Sequence, residues 1–309
     1  MDTSRTSSAS PAPVALFAYN RPSHTRRTIE SLLANELASR SELLVFSDGA
    51  KDRSSAAAVE EVRRYLRTVE GFRSIRIYER DSNAGLARSI IEGVTRVIRD
   101  HGRVIVLEDD MVTSPWFLTY MNEALEMYGE DENVASVHAY SFPSRTPLPE
   151  TFFLRGADCW GWATWERSWR HFEPDGRKLL NTLRERRLTR AFDLGGAFGY
   201  TQMLEDQVSG RNDSWAIRWH AACFLQERLT LHPGRSLVWN IGTDGSGTHC
   251  AETEDYASSL ARTPIRVNRI PVRESEHARE EFARFMRSTR KGLLQRILAR
   301  TMRSMRRGR

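Results

Sequence analysis

Cysteine is scarce in this sequence. Cys159, Cys223 and Cys250 are the only three in 309 residues, and no two of them form a CxxC pair. An odd, widely spaced set excludes a disulfide scaffold and a zinc finger, and it points to a reducing, cytoplasmic setting. Long apolar runs are missing too: no stretch of eighteen apolar residues occurs, so no segment is expected to span a membrane. Residues 1–12 lack the apolar core of a signal peptide and read as a disordered lead-in. Glycine-rich phosphate loops of the Walker or Rossmann pattern are absent, so a phosphate-bearing ligand needs another source of positive charge. No internal repeat is present.

Acidic residues are absent from one stretch in particular. Residues 290–309 carry eight arginines and lysines and no carboxylate, so the net charge of +6 divides into +8 there and 6 − 8 = −2 elsewhere. The basic character therefore belongs to the tail, and nucleic-acid binding by the body is not expected. Across 271–309, Phe282, Phe285, Met286, Leu293, Leu294, Ile297, Leu298, Met302 and Met305 recur at helical spacing against an arginine face. A basic amphipathic helix of this kind predicts an anionic membrane surface as partner, with each basic residue worth about 1 kcal/mol there. The protein is then expected at the inner face of the cytoplasmic membrane, peripheral to it. A helix packed on the body, or a disordered tail, is the alternative.

What is present is a strand–helix alternation. Apolar runs at Val14–Ala18, Leu43–Phe46, Ile75–Tyr78 and Val104–Leu107 are separated by helical patterns, as in βαβ units. Right-handed crossovers make this an α/β fold with a mostly parallel central sheet flanked by helices. Residues 13–270 are expected to form one domain. A helix after Ser114-Pro115, a strand at Val134–Val137, polar helical sequence over 174–212 and a strand-like Leu237–Trp239 complete it.

Val104–Leu107 runs directly into Glu108, Asp109 and Asp110. Such a strand delivers its last residues to the carboxyl edge of the sheet, where open α/β folds bind ligands. Adjacent carboxylates repel, and hard oxygen donors suit Mg²⁺ or Mn²⁺. The alternative is a solvated turn. Asp48 ends an earlier strand, and Asn83-Ala-Gly85 opens a helix beside it. A nucleotide laid across this edge could meet Asp48 with its base, Asp109 with its ribose, and a cation on Asp110 with its diphosphate, aided by Arg21 and Arg88. An Asp-Gly turn is the plainer reading of Asp48. Further along, Cys159–Trp169 holds four tryptophans. Indoles mostly fill cores, but Trp160-Gly-Trp162 could also stack an acceptor sugar.

Ala18-Tyr-Asn-Arg-Pro22, Ser47-Asp-Gly49, Asn83-Ala-Gly85, Glu108-Asp-Asp110 and Trp160-Gly-Trp162 together resemble the glycosyltransferases of GT-A fold, over residues 13–250. The Glu-Asp-Asp form most resembles the N-acetylglucosaminyltransferase I-like group and its bacterial family 2-like relatives. The resemblance implies an inverting transferase that uses a nucleotide-sugar, UDP-linked in the relatives, and a divalent cation. It assigns Asp110 to the metal, Asp109 to the ribose or donor sugar, Asp48 to the base and Arg21 to the nucleotide side. Glu108 joins the donor set with the least defined part. Asn212-Asp213-Ser-Trp215 resembles the segment with the catalytic base, which makes Asp213 the candidate. Glu205 and Asp206 are its rivals, and a helix N-cap is its structural alternative. His249 resembles the late histidine of the family's loop near the donor and is the second candidate on the metal side. Inversion by single displacement needs one such base, unlike the carboxylate pair of a hydrolase.

The expected function is transfer of a hexosyl or N-acetylhexosaminyl group to a hydroxyl of a surface-polysaccharide or glycolipid acceptor. Two other classes compete. A nucleotidyltransferase acting on sugar phosphates also uses acids at strand ends, but it would release pyrophosphate and carry a glycine- and lysine-rich loop. A non-catalytic nucleotide-sugar-binding protein held at membranes would bind without turnover.

Overall fold

The computed structural model describes residues 10–244, 256 and 259–289 of the chain. Among them, one eight-stranded sheet organises the molecule. Its strands, in chain order, are β1 (Val14–Ala18), β2 (Glu42–Ser47), β3 (Ser74–Glu79), β4 (Arg103–Glu108), β6 (Val134–His138), β7 (Thr151–Arg155), β8 (Trp162–Trp165) and β9 (Leu229–Pro233). Across the sheet the order is β3-β2-β1-β4-β8-β6-β9-β7. Only β7 and β8 run against the others. A short β5 (Met111–Thr113) pairs separately with β10 (Val238–Asn240), antiparallel.

The two faces follow from the period of two along each strand. Val14, Leu16, Leu43, Val45, Ile105 and Leu107 point to a cluster closed by α1 (Pro22–Leu33), α2 (Arg53–Leu66) and α4 (Phe117–Met127). Their neighbours Ala15, Phe17, Leu44, Phe46, Val104 and Val106 point to the opposite face. There α3 (Leu86–His101), α5 (Glu166–Trp169) and α9 (Trp215–Leu225) cover them. Gly93 lets α3 approach closely: a Cβ there would lie 2.6 Å from the Phe17 ring. Outside α9 a second layer, α6 (Gly176–Glu185), α7 (Thr189–Phe192) and α8 (Tyr200–Val208), shares a small core with it. This is the polar helical stretch expected over 174–212.

The tail differs from expectation over the part the structure describes. Residues 276–289 are helical. Phe282 and Met286 are buried with Ala278 and Ala283 against Phe152 and Leu154 of β7. These side chains belong to the body's core. Residues 290–309, with the remaining apolar and basic positions, lie outside the described residues, as do residues 1–9.

Two buried histidines sit side by side at the carboxyl ends of β6 and β9. The Nδ1 atoms of His138 and His232 are 3.3 Å apart, and both rings are buried. Burial pushes the pKa of each down to about 3, and for His232 the charge of His138 adds to the effect. The folded state therefore keeps both neutral while the unfolded chain takes up protons near pH 6.5. Stability is complete above that value and is lost as the pH falls below it, toward the folded pKa. From pH 6.5 to 5.5 the expected loss is about 1 kcal/mol per histidine, and below that the slope approaches about 1.4 kcal/mol per pH unit. Urea midpoints at the two pH values, for wild type and His138→Gln, measure this; identical midpoints in wild type contradict it. Buried Asp158, whose carboxyl is pushed up by burial, works against this trend.

Candidate active site

Parallel strands bring their carboxyl ends to one edge, and β1, β2 and β4 are adjacent there. Glu108 closes β4 in register with Phe17 of β1. Asp109 and Asp110 form the turn into β5, and their carboxylates are buried. The turn is held from three sides. The Tyr19 amide donates to Asp109 Oδ2 at 3.2 Å. The Thr28 hydroxyl of α1 donates to the Asp109 carbonyl at 2.9 Å. The Ile241 amide, just past β10, donates to the Asp110 carbonyl at 2.9 Å.

Arg21 supplies the charge. Its Nη2 donates to Asp109 Oδ1 at 2.5 Å and to Asp110 Oδ2 at 2.8 Å. The residue stands at the N-cap of α1, where Pro22 fixes the first helical position. Burial works against the guanidinium's charge, but Asp109 and Asp110 outweigh it and hold its pKa above the usual arginine value. Asp109 is pushed up by burial, against the pull of Arg21. Glu108 keeps part of its surface, yet the protein packed around its carboxyl, then Asp110 and Asp109, push it up to about 8. Even with Glu108 protonated, two aspartates with one guanidinium leave an excess of negative charge.

Asp110 Oδ1 is buried and has no hydrogen-bond partner. An orphaned carboxylate oxygen of this kind is expensive unless a cation comes to it, so the donor set fits a divalent metal. Among the described residues no group of three or more His, Cys, Asp or Glu side chains could hold such an ion alone. Phosphate oxygens and water would complete its shell, as is usual for Mg²⁺. His249 lies outside the described residues.

Several features escaped the sequence reading. Gly242 lies on top of the acids: a Cβ there would fall 2.1 Å from Asp110 Oδ2 and 3.0 Å from Arg21 Nη1. His24 of α1 reaches Asp244 at 3.1 Å, tying the same segment to α1. The glycine-rich run after Trp239 was the available signal for both.

Asp48 and Asn83 do come together, but in a different arrangement from the one expected. Asp48 accepts from the amides of Gly49, Ala84 and Gly85 and from Asn83 Nδ2, at 2.9–3.0 Å. These contacts let Asp48 clamp the end of β2 to the turn before α3. Arg88 lies apart from the acids in this structure. It is exposed on α3 and paired with Glu92 at 2.7 Å, a surface i,i+4 bridge, with no contact to the acids.

The tryptophans divide. Trp162 is 1% exposed in β8, stacked on Trp215 at 5.3 Å and flanked by Trp169 and Trp219. Its ring is packed against other indoles, as a core tryptophan's is. Trp160 is half-buried, with edge contacts to Tyr140 at 4.8 Å and Tyr256 at 5.6 Å.

Asp213 precedes α9, whose N-cap is Ser214: the serine hydroxyl accepts from the Ile217 amide at 3.2 Å. Asp213 is therefore not needed as a cap. Its side chain is 75% exposed and held by Arg218 at 3.1 Å. The stack of Trp215 on Trp162 anchors this end of α9 beside β4, since Trp162 is in register with Val106. The rivals lie on α8 and are engaged on its surface. Glu205 pairs with Arg184 and Asp206 with Arg211, which draws the Asp206 pKa down.

A mostly parallel α/β sheet with an acidic turn where β4 meets the carboxyl edge is the GT-A architecture of glycosyltransferases. The family model described as Glycosyl transferase family 2 matches residues 14–194, more than half of the sequence, and the chain belongs to that family. No curated protein matches it significantly. Among solved structures it is similar to the mannosyltransferase PcManGT from Pyrobaculum calidifontis in complex with GDP-Man and Mn²⁺, at 15% identity and TM-score 0.34 over 44% of this chain. It is also similar to S. aureus TarS 1-349, at 12% identity and TM-score 0.30 over 48% of this chain. The chain spans 37% and 41% of those two structures.

Proposed function

We propose that this protein is an inverting, divalent-cation-dependent glycosyltransferase that moves a sugar from a nucleotide-sugar to a hydroxyl group. The observation that carries the reading is the buried Asp109–Asp110 pair at the end of β4, with Asp110 Oδ1 left without a partner. Family membership makes glycosyl transfer the chemistry to expect at such a pair. The Glu-Asp-Asp form supports the N-acetylglucosaminyltransferase I-like group as the relatives of reference, and UDP as the nucleotide.

Asp110 would hold the cation, which when bound supplies charge stabilisation to the leaving diphosphate. Asp109, fixed by Arg21 and Tyr19, faces the ribose or donor sugar. Asp213, exposed and tethered by Arg218, takes the proton from the acceptor hydroxyl. Trp160, half-buried near the start of β8, remains the aromatic candidate on the acceptor side. A glycan or lipid-linked acceptor and a membrane-surface location, through residues 290–309, complete the proposal.

A thermal-shift screen of UDP- and GDP-sugars, with and without Mn²⁺, tests it. Ligand at 100 times its Kd adds about 2.7 kcal/mol of stability. The expected result is a shift that requires both Mn²⁺ and a nucleotide-sugar and disappears in Asp110→Ala. A shift that persists in Asp110→Ala would remove the assigned cation site, and pyrophosphate release from a nucleoside triphosphate would replace the proposed reaction class.

A further inference from the structure

Arg21 occupies the two carboxylates that the proposed function gives to the cation and the donor. A single nitrogen, Nη2, bridges Asp109 Oδ1 and Asp110 Oδ2 at 2.5 and 2.8 Å. The guanidinium is therefore already the counter-charge of the two carboxylates. Its side chain is 19% exposed, so it is largely withdrawn from water, and Gly242 lies directly against its other terminal nitrogen. A divalent ion on Asp110 would stand within a few ångströms of that fixed positive charge, where little solvent screens the repulsion. The ion and the guanidinium draw on the same carboxylate, through different oxygens. A diphosphate changes the balance, because an arginine fork pairs with phosphate oxygens as readily as with carboxylates.

We propose that Arg21 is a counter-cation that competes with the divalent ion for Asp110 and moves from Asp110 to the diphosphate when a nucleotide arrives, so that ion and nucleotide load together. The proposal rests on the cation-dependent reading above and deepens it. Three features belong to the proposed device. Asp109 keeps Arg21 nearby once Asp110 is released, because the two salt bridges are made to different carboxylates. Asp110 Oδ1, buried without a partner, is the oxygen on which an incoming ion finds no competitor. The segment Ile241–Asp244 is fastened to Asp110 by its amide and to His24 by Asp244, beside the exchange.

The experiment measures Mn²⁺ binding by electron paramagnetic resonance, with no turnover involved, for wild type, Arg21→Gln and Arg21→Lys, each without nucleotide and with saturating UDP or GDP. For wild type, the nucleotide is expected to tighten Mn²⁺ at least 10-fold, and by linkage Mn²⁺ tightens the nucleotide by the same factor. In Arg21→Gln, Mn²⁺ alone is expected to bind at least 10-fold tighter than to wild type, and the nucleotide effect shrinks. Arg21→Lys keeps the charge and is expected to stay near wild type without nucleotide. A merely structural arginine would instead weaken both ligands together. Mn²⁺ binding to Arg21→Gln that is no tighter than to wild type overturns the proposal and leaves the cation reading standing. If Arg21→Gln does not fold, the wild-type arm decides: Mn²⁺ that binds equally well with and without nucleotide overturns the exchange. Absence of Mn²⁺ binding to every protein, even with nucleotide, overturns the exchange and the cation reading together.

Discussion

Trp162→Ala is expected to lose about 3–5 kcal/mol of folding stability, as buried tryptophan truncations do when the surroundings cannot collapse. The indole is in contact with three others, Trp169, Trp215 and Trp219, between β8 and the α9 face. Its removal opens a cavity walled by rigid aromatics, which have few alternative rotamers with which to fill it. Because Trp215 stacks on it, the loss would also loosen the end of α9 that carries Asp213. Denaturant melts read the result. A change below about 1 kcal/mol would mean that the cluster repacks and that Trp162 is not the keystone the packing makes it. Exposed Trp239, by contrast, lies beside Arg27 at the surface, and truncation there should stay within about 0.5 kcal/mol of wild type.

Asp213→Asn is the second large effect. The amide keeps the shape of the carboxylate and cannot accept a proton, so kcat should fall by about 10²–10⁴ while donor affinity stays unchanged. Stability should hardly move, since Ser214 and not Asp213 caps α9 and the Arg218 bridge is exposed on the acid's side. Steady-state kinetics with donor and acceptor varied separately distinguish the cases. A loss of less than about tenfold shifts the base to another carboxylate, and Glu205→Gln and Asp206→Asn then become the informative variants.

The parts of this protein legible in sequence are those governed by local periodicity. The four βαβ strands, the helices between them and the acidic turn after Val104–Leu107 announce themselves by apolar runs and their punctuation. Beyond β4 the signal weakens for physical reasons. β8 is four residues long and buried on both faces, so its Trp-Ala-Thr-Trp reads as neither alternation nor a long run. β7 and β9 find partners only across long separations, which composition does not encode. At the site, residue types were readable and partners were not. Asp48 looked like a ligand-facing acid because its chemistry is that of one. Only the geometry reveals three backbone amides and an asparagine already donating to it. Arg88 likewise has the right charge, and only the geometry pairs it with Glu92. Gly242 carried almost no signal, since a glycine in a glycine-rich run does not say what it presses against.

The antiparallel insertion of β8 between β4 and β6 has a bearing on how the chain folds as it is made. The β1–β4 portion closes through neighbouring crossovers and can assemble early, as domains do from the N-terminal side during synthesis. Its partner at the β4 edge, β8, begins only at Trp162, well after β4 ends at Glu108. Until then a strand that is apolar from Val104 to Leu107 presents an unpaired rim, the kind of edge on which chains join one another. β9 must then seat itself beside β6 from Leu229 onward, a pairing of still greater sequence separation. Late, non-local closure of this sort slows the search and lengthens that exposure. During refolding, yield should therefore depend on protein concentration chiefly before the tryptophan-lined strand has docked.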